Sequence, residues 1–237
     1  MATGVTSPRR SVTGVRRSPT PVPSTPRVES VVAGAKPLPR MFFARPVLTV
    51  ARECIGKVIV RRTPEGVTAG RIVEAEAYRG PEDLAAHSAH GRRTSRTEVM
   101  FGPAGHAYVF LIYGLHCHFN LVAGRAGEPH AVLIRAVEPL IGAQLMATRR
   151  GMPPERVELT NGPGKLCEAL AITRSEYGVD LCAGDPLCVV DGPAPARVAR
   201  SPRIGVDYAG QWALRPWRFI DPTSLYVSAT PRKKKLA

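Results

Sequence analysis

Glu74 and Glu76 stand two residues apart in GRIVEAEAYRGPED, a run with the alternation of a β-strand. Side chains two apart on a strand share a face, their Cα atoms about 6–7 Å apart. Along 71–78 one face then reads Val73, Ala75, Ala77 and the other Ile72, Glu74, Glu76, Tyr78. Two carboxylates and a phenol look the same way. Carboxylates so placed can draw a proton from water or steady a developing positive charge; a solvated strand face is the plainer alternative. The flanking alanines are small for a core-forming strand, and Tyr78 leads into RGPED, a loop able to border a pocket. Arg135 is the second signal, a guanidinium inside the apolar run AVLIRAVEP. A buried arginine needs a carboxylate or its equivalent. Glu138 is near in sequence, whereas Glu76 is the partner that would carry chemistry. A structural ion pair competes with a functional one, in which Glu76 and Arg135 grip one water and Glu76 acts as general base.

Tyr113 precedes Gly114 in AYVFLIYGLHCHFN, where the chain must turn. A tip aromatic either folds back onto the core or, on a DNA-binding protein, wedges between base pairs. Arg92, Arg93 and Arg96 in HGRRTSRTEVMFG sit in a polar stretch, solvated or set to hold phosphates. In NGPGKLCEALAI, Gly162, Gly164 and Lys165 mark a helix start that could take an anion, but without the P-loop pattern GxxxxGK[ST]. His116, Cys117 and His118 lack the second ligand pair a metal site needs, so no metal is expected.

These residues require strands and turns to position them. KVIVRR, a TPEG turn and VTAGRIVEAEAY read as one hairpin, and AGHAYVFLIYGLHCHFNLVAG as a second that protrudes at Tyr113–Gly114. AVLIRAVEP reads as a strand closed by Pro139; PLCVVD and the stretch near SLYVSA supply later strands. Helices are expected in RPVLTVARECIG, with Pro46 in the first turn and Gly56 as stop, in LIGAQLMATRRG ended by Gly151, and in NGPGKLCEALAI. The result is an α+β fold, a single domain over 41–231 with a mainly antiparallel sheet and surrounding helices.

The net charge is +14, unevenly spread. Residues 1–40 hold seven basic residues against Glu29, and Arg232, Lys233, Lys234 and Lys235 crowd the C-terminus, leaving about +4 between. The Pro-, Ser- and Arg-rich segment 1–40 reads as a disordered basic arm, and 232–237 as a basic tail. Such tails suit a polyanion such as nucleic acid, although solvated disorder needs no partner. Five cysteines without a CxxC pair argue against a disulfide framework and for a reducing compartment. No apolar run approaches the ~18 residues of a membrane span. Plain disorder of the arm is favoured over a transit peptide, so the expected location is the cytoplasm, on the nucleoid in a bacterium, with organelle or nucleus left open.

GRIVEAEAYRGPEDLAAHS, RTEVMFGPAGHAYVFLIYG, AVLIRAVEPL and NGPGKLCEALAI occur in the order expected of the alkyladenine (3-methyladenine) DNA glycosylases, and RIGVDYAGQWALRPWRFI resembles their C-terminal block. The resemblance runs from Phe42 to Tyr226. It implies a compact domain with a curved antiparallel sheet and a hairpin that enters the DNA minor groove. It implies a monomeric enzyme that removes alkylated or deaminated purines from double-stranded DNA by hydrolysis, without a metal or organic cofactor. By this resemblance Glu76 matches the general base, Arg135 a residue holding the attacking water, and Val206 the position whose carbonyl also contacts that water. Tyr78 and His87 match pocket residues that stack on or bond the flipped base, Tyr113 the wedge, and Asn120 a residue at the pocket floor that discourages guanine's exocyclic amine. Phe110 stands where family members often carry tyrosine, keeping the aromatic face without its hydroxyl. A non-catalytic module for damaged DNA or RNA, with Glu76–Arg135 as a structural pair, is the alternative; a nucleosidase for free nucleosides is a third.

Overall fold

Strand β2 (Gly66–Arg79) organises the molecule, because its 14 residues are hydrogen-bonded on both edges and covered on both faces. The computed structural model describes Met1 and residues 34–228; most of the arm, and the whole basic tail, lie outside the described residues. Within the part of the arm that is described, Pro37 bridges to Val190, Leu38 is buried, and Leu38 N–H bonds the Val189 carbonyl at 2.8 Å.

The predicted first hairpin is formed by β1 (Val58–Thr63) and β2, whose register closes at Thr63 opposite Gly66. The second joins β3 (Ala107–Ile112) to β4 (His116–Ala123). Strand β5 (His130–Ile141) pairs with β2 over most of its length and with β4 on its other edge. Strands β6 (Leu187–Val190), β7 (Ala199–Ser201) and β8 (Arg218–Ile220) complete one open antiparallel sheet, ordered β3-β4-β5-β2-β1-β6, with β8 bridging β2 to β7. Among the described residues the α-helices are short: α1 (Arg40–Phe43), α2 (Val47–Glu53), α3 (Ala143–Arg150) and α4 (Pro163–Ala169).

Three expectations are corrected. In the stretch near SLYVSA, the described residues 224–228 form turns and bends rather than a strand; β7 and β8 supply the late strands instead. Pro139 does not close β5, because it falls opposite Gly70 where the register slips, the irregularity at which a strand tolerates a residue without N–H. Leu140 and Ile141 therefore extend the strand, and α3 begins only after Gly142, whose φ of 71° makes the turn.

The main core lies on one sheet face, where Phe43, Val50 and Met146 from the helices meet Ile72, Phe119, Ile134 and Phe219, all fully buried. Burial of each such side chain contributes roughly 1.5–3 kcal/mol. The opposite face carries a smaller cluster of Met100, Tyr108, Phe110, Val122 and Ala131. It is this second face that holds the polar residues.

Candidate active site

Alternation along β2 breaks once. Ile72 pairs with Val137 and Glu74 with Ala136, so Val73 is the extra residue of a bulge; Glu74 opposes Ala136 and Ala75 opposes Ile134, so Arg135 is extra on β5. A bulge re-aims side chains and sharpens local twist. Ile72 therefore joins Ala75 and Ala77 in the main core, and Glu74, Glu76 and Tyr78 look the other way. The same place is where β2 exchanges β1 for β8 as its edge partner. Cross-strand pairing then lines up Tyr108, Asn120, Leu133, Glu76 and Arg218 in a single row over five strands.

Glu76 is fully buried, and three donors hold it: Ile204 N–H to Oε1 at 2.8 Å, Tyr78 Oη–H to Oε2 at 2.9 Å and Arg135 Nη1 to Oε2 at 3.3 Å. Glu74 is buried as deeply. It accepts Arg135 Nε at 2.9 Å, Arg218 Nε at 2.6 Å, and the N–H and hydroxyl of Ser228 at 2.6 and 2.8 Å. Arg135 thus bridges the two carboxylates, with Glu74 as its anchor. Burial opposes the charge on Arg135, but Glu76 and Glu74 more than offset it and raise its pKa above the usual value. Burial first, and then the charge of Glu76, push the Tyr78 phenol well above its normal range, so it stays a donor. Glu138, the neighbour in sequence, pairs with Arg71 instead.

Above this pair opens a cavity of about 110 Å³. Tyr78, Arg135, Ile204 and Val206 form its floor side, and His87, Phe110, His118 and Asn120 stand among its walls. Glu76 lies just beneath, covered by the groups that bind it. The Arg203 guanidinium lies 4.7 Å from the Tyr78 ring centroid and pairs with Asp83 at 2.5 and 2.8 Å, both side chains fully buried. His87 bonds the Tyr108 hydroxyl through Nδ1 at 2.8 Å, and Arg96 donates to Nε2 at 3.0 Å. Because arginine only donates, Nε2 must accept, which leaves the proton of the neutral ring on Nδ1. Burial, then the charge of Arg96, lower the His87 pKa to about 4. Both amide hydrogens of Asn120 face main-chain carbonyls, Tyr108 at 3.0 Å and His118 at 3.4 Å, so its oxygen is the group left for the cavity.

The structure thus gathers Glu76, Arg135, Tyr78, His87, Phe110, Asn120 and Val206 around one hollow. Tyr113 stands apart at the hairpin tip, 89% exposed, with φ of 52° followed by 70° at Gly114. Of the three arginines expected on phosphates, Arg96 lies over Phe110 at 4.6 Å, Arg93 pairs with Glu98, and Arg92 is exposed. Lys165 bonds Asn161 at 2.7 Å and is not in the cavity wall. Sequence reasoning missed Tyr108, His118, Asp83, Arg203, Ile204 and Arg218. Arg203 and Ile204 open RIGVDYAGQW, where an arginine beside the apolar run Ile204–Val206 was the available signal. Among the described residues no group of three or more His, Cys, Asp or Glu could hold a metal, and no helix is long and apolar enough to cross a membrane.

Residues 41–224 match the family model described as methylpurine-DNA glycosylase. A relative in Methanocella arvoryzae, provisionally named a 3-methyladenine DNA glycosylase, is 53% identical over 191 residues, 81% of this chain and 95% of its own. Proteins with the same provisional name in Desulfitobacterium hafniense (46% identical; 81% of this chain, 98% of theirs) and Myxococcus xanthus (49%; 82% and 94%) align comparably.

Proposed function

The chain belongs to the methylpurine-DNA glycosylase family, and from that premise we propose that it flips damaged purines out of double-stranded DNA and hydrolyses their N-glycosidic bond, leaving an abasic site. The substrate class is 3-methyladenine with its alkylated relatives, extended to hypoxanthine and ethenoadenine. The observation that carries this reading is the buried Glu76–Arg135 pair directly beneath an aromatic-walled cavity. A cavity of about 110 Å³ is far smaller than the roughly 300–1,000 Å³ of general ligand sites, which suits one flat base.

A base inside a duplex must leave the stack before chemistry, at a cost of a few kcal/mol. Tyr113, fully outward on the turn, is placed to fill the gap. Tyr78 and Phe110 offer rings to the extruded purine, and an alkylated, cationic base gains about 1–2 kcal/mol on electron-rich faces when desolvated. Glu76 then takes a proton from water as oxygen attacks C1′ and the purine leaves with the electrons of the broken bond. The carboxylate also stabilises the developing oxocarbenium charge. Three donors leave one of the carboxylate's roughly four acceptor positions, on Oε1 beside the Ile204 N–H, for the attacking water. Arg135, fixed by Glu74, keeps the carboxylate aimed. No lysine nucleophile is needed, so the product strand stays intact.

The three donors that hold Glu76 also support a second reading, a lesion-binding module in which the pair is structural. Single-turnover base release from duplexes carrying a methylated purine, hypoxanthine or ethenoadenine separates the two. Loss of a general base in Glu76→Gln should slow release by roughly 10²–10⁴-fold while lesion binding persists. Tight binding by wild type with no release from any duplex would select the binding module.

A further inference from the structure

Deamination yields a neutral purine, and its departure leaves the electron pair of the broken bond on a base with no positive charge to absorb it. The groups already assigned to the reaction are a base and its arginine, neither of which donates to the leaving purine. We propose that His118 is the specificity-determining residue for neutral purines, donating a hydrogen bond to the departing base; the proposal rests on the glycosylase reading above.

His118 lies on β4, between the strands that carry Phe110 and Arg135. It is the cross-strand partner of Phe110, with ring centroids 5.4 Å apart at 56°, and it lines the cavity beside Asn120. Its main-chain carbonyl accepts from the Asn120 amide, which sets that side chain beside it. Among the described residues no protein group is bonded to either ring nitrogen, in contrast to His87, whose two nitrogens are both engaged. A wall residue with an unengaged donor and acceptor is what a base edge can use.

The neighbourhood keeps this ring neutral. Burial, then Arg135 and His116, lower its pKa to about 4. Neutral imidazole carries one N–H and one lone pair, and a change of tautomer exchanges them, so the residue meets either a keto oxygen or an exocyclic amine. A cationic ring would instead repel an alkylated, positively charged purine. The reaction balances without proton transfer from His118: Glu76 receives the water proton, the C1′–N9 electrons go to the purine, His118 steadies that charge, and solvent protonates the free base. A cationic lesion leaves as a neutral base and has little use for the donor.

The test compares hypoxanthine and methylated-purine release, under single turnover, by wild type, His118→Phe and His118→Gln. Phenylalanine keeps the ring contact with Phe110 and removes both nitrogens; glutamine keeps a donor. Loss of one hydrogen bond should slow hypoxanthine release in His118→Phe about tenfold more than it slows methylated-purine release, and His118→Gln should partly reverse that difference. Equal losses on both lesions in a folded variant, no loss on either, or no hypoxanthine release by wild type would overturn the proposal. Failure of wild type on the methylated purine as well would instead overturn the glycosylase reading. Were the variants not to fold, ring ¹⁵N shifts of His118 in wild type on adding free hypoxanthine decide: a shift supports the contact, and none overturns it.

Discussion

Replacing Glu74 by glutamine should damage the fold far more than the chemistry. Its carboxylate accepts four hydrogen bonds, from Arg135, Arg218 and twice from Ser228, with no exposed surface. Glutamine retains one acceptor oxygen and sets an NH₂ group among donors, so at least one contact becomes donor against donor. It also removes the negative charge that two buried guanidiniums share. Breaking a buried ion pair from one side costs about 3–5 kcal/mol, because the partner charge stays behind. For a domain of this size each kcal/mol moves Tm by about 2–4 °C, giving an expected fall of roughly 6–20 °C. Thermal unfolding at pH 7, followed by circular dichroism, measures it. Well below the new Tm, base release per folded molecule should stay within about tenfold of wild type, against the roughly 10²–10⁴-fold loss expected when a general base is removed. Glu76→Gln should show the reverse pattern, with about 1–3 kcal/mol for an imperfectly paired buried group. A Tm change under about 3 °C for Glu74→Gln, or equal kinetic losses in the two variants, would refute this division of labour.

Tyr113→Gly should leave stability near wild type, because relief of a left-handed residue worth about 1–2 kcal/mol offsets the added chain entropy of glycine, about 0.5–1 kcal/mol. Affinity for a lesion duplex should fall about tenfold or more with the lost stacking; unchanged affinity in a binding titration would remove Tyr113 as the wedge. His87 and His118 both have folded pKa values of about 4, below the ordinary 6.5. The unfolded chain therefore binds more protons between those values, so this contribution is complete above about pH 6.5 and is lost as pH falls toward 4, by up to about 3 kcal/mol per histidine. A double His87→Phe, His118→Phe variant should show a flatter Tm–pH curve between pH 7 and 5, and parallel curves would contradict the assigned shifts.

Both hairpins were legible because their turns sit between runs of strong alternation, and the helix-stop glycines at 56 and 151 have the positive φ that such stops require. The late strands were not. Each of β7 and β8 is three residues long, and what makes them strands is pairing with β2 and with one another. No local pattern marks such a segment; long-range partners decide it. Residues 224–228 fail for the converse reason: Leu225, Tyr226 and Val227 suit a strand, but none of them pairs with a described strand, and the Ser228 N–H goes to Glu74 instead. The buried Glu76–Arg135 pair was visible as two oddities, a doubled carboxylate and an arginine in an apolar run. Their supporting residues were invisible, since Arg218 and Ser228 come from segments some 150 residues away and meet Glu74 only after folding.

The two bulges explain why strict alternation gives an incomplete account of where the side chains of β2 point. Strict period-2 reading puts Ile72 on the same face as Glu74 and Glu76, which would seat a large aliphatic side chain against a buried charge cluster. The structure avoids this by looping Val73 out of the pairing with β5, so Ile72 returns to the core while both carboxylates keep their common face. The matching irregularity at Arg135 rotates its guanidinium to reach across to both acids. An unbulged β2–β5 ladder would bury either the acids without their arginine or the isoleucine without its core. Register irregularity at 73 and 135 is thus what lets one strand serve the apolar core and the charged site at once, and it is also the feature that residue periodicity cannot reveal.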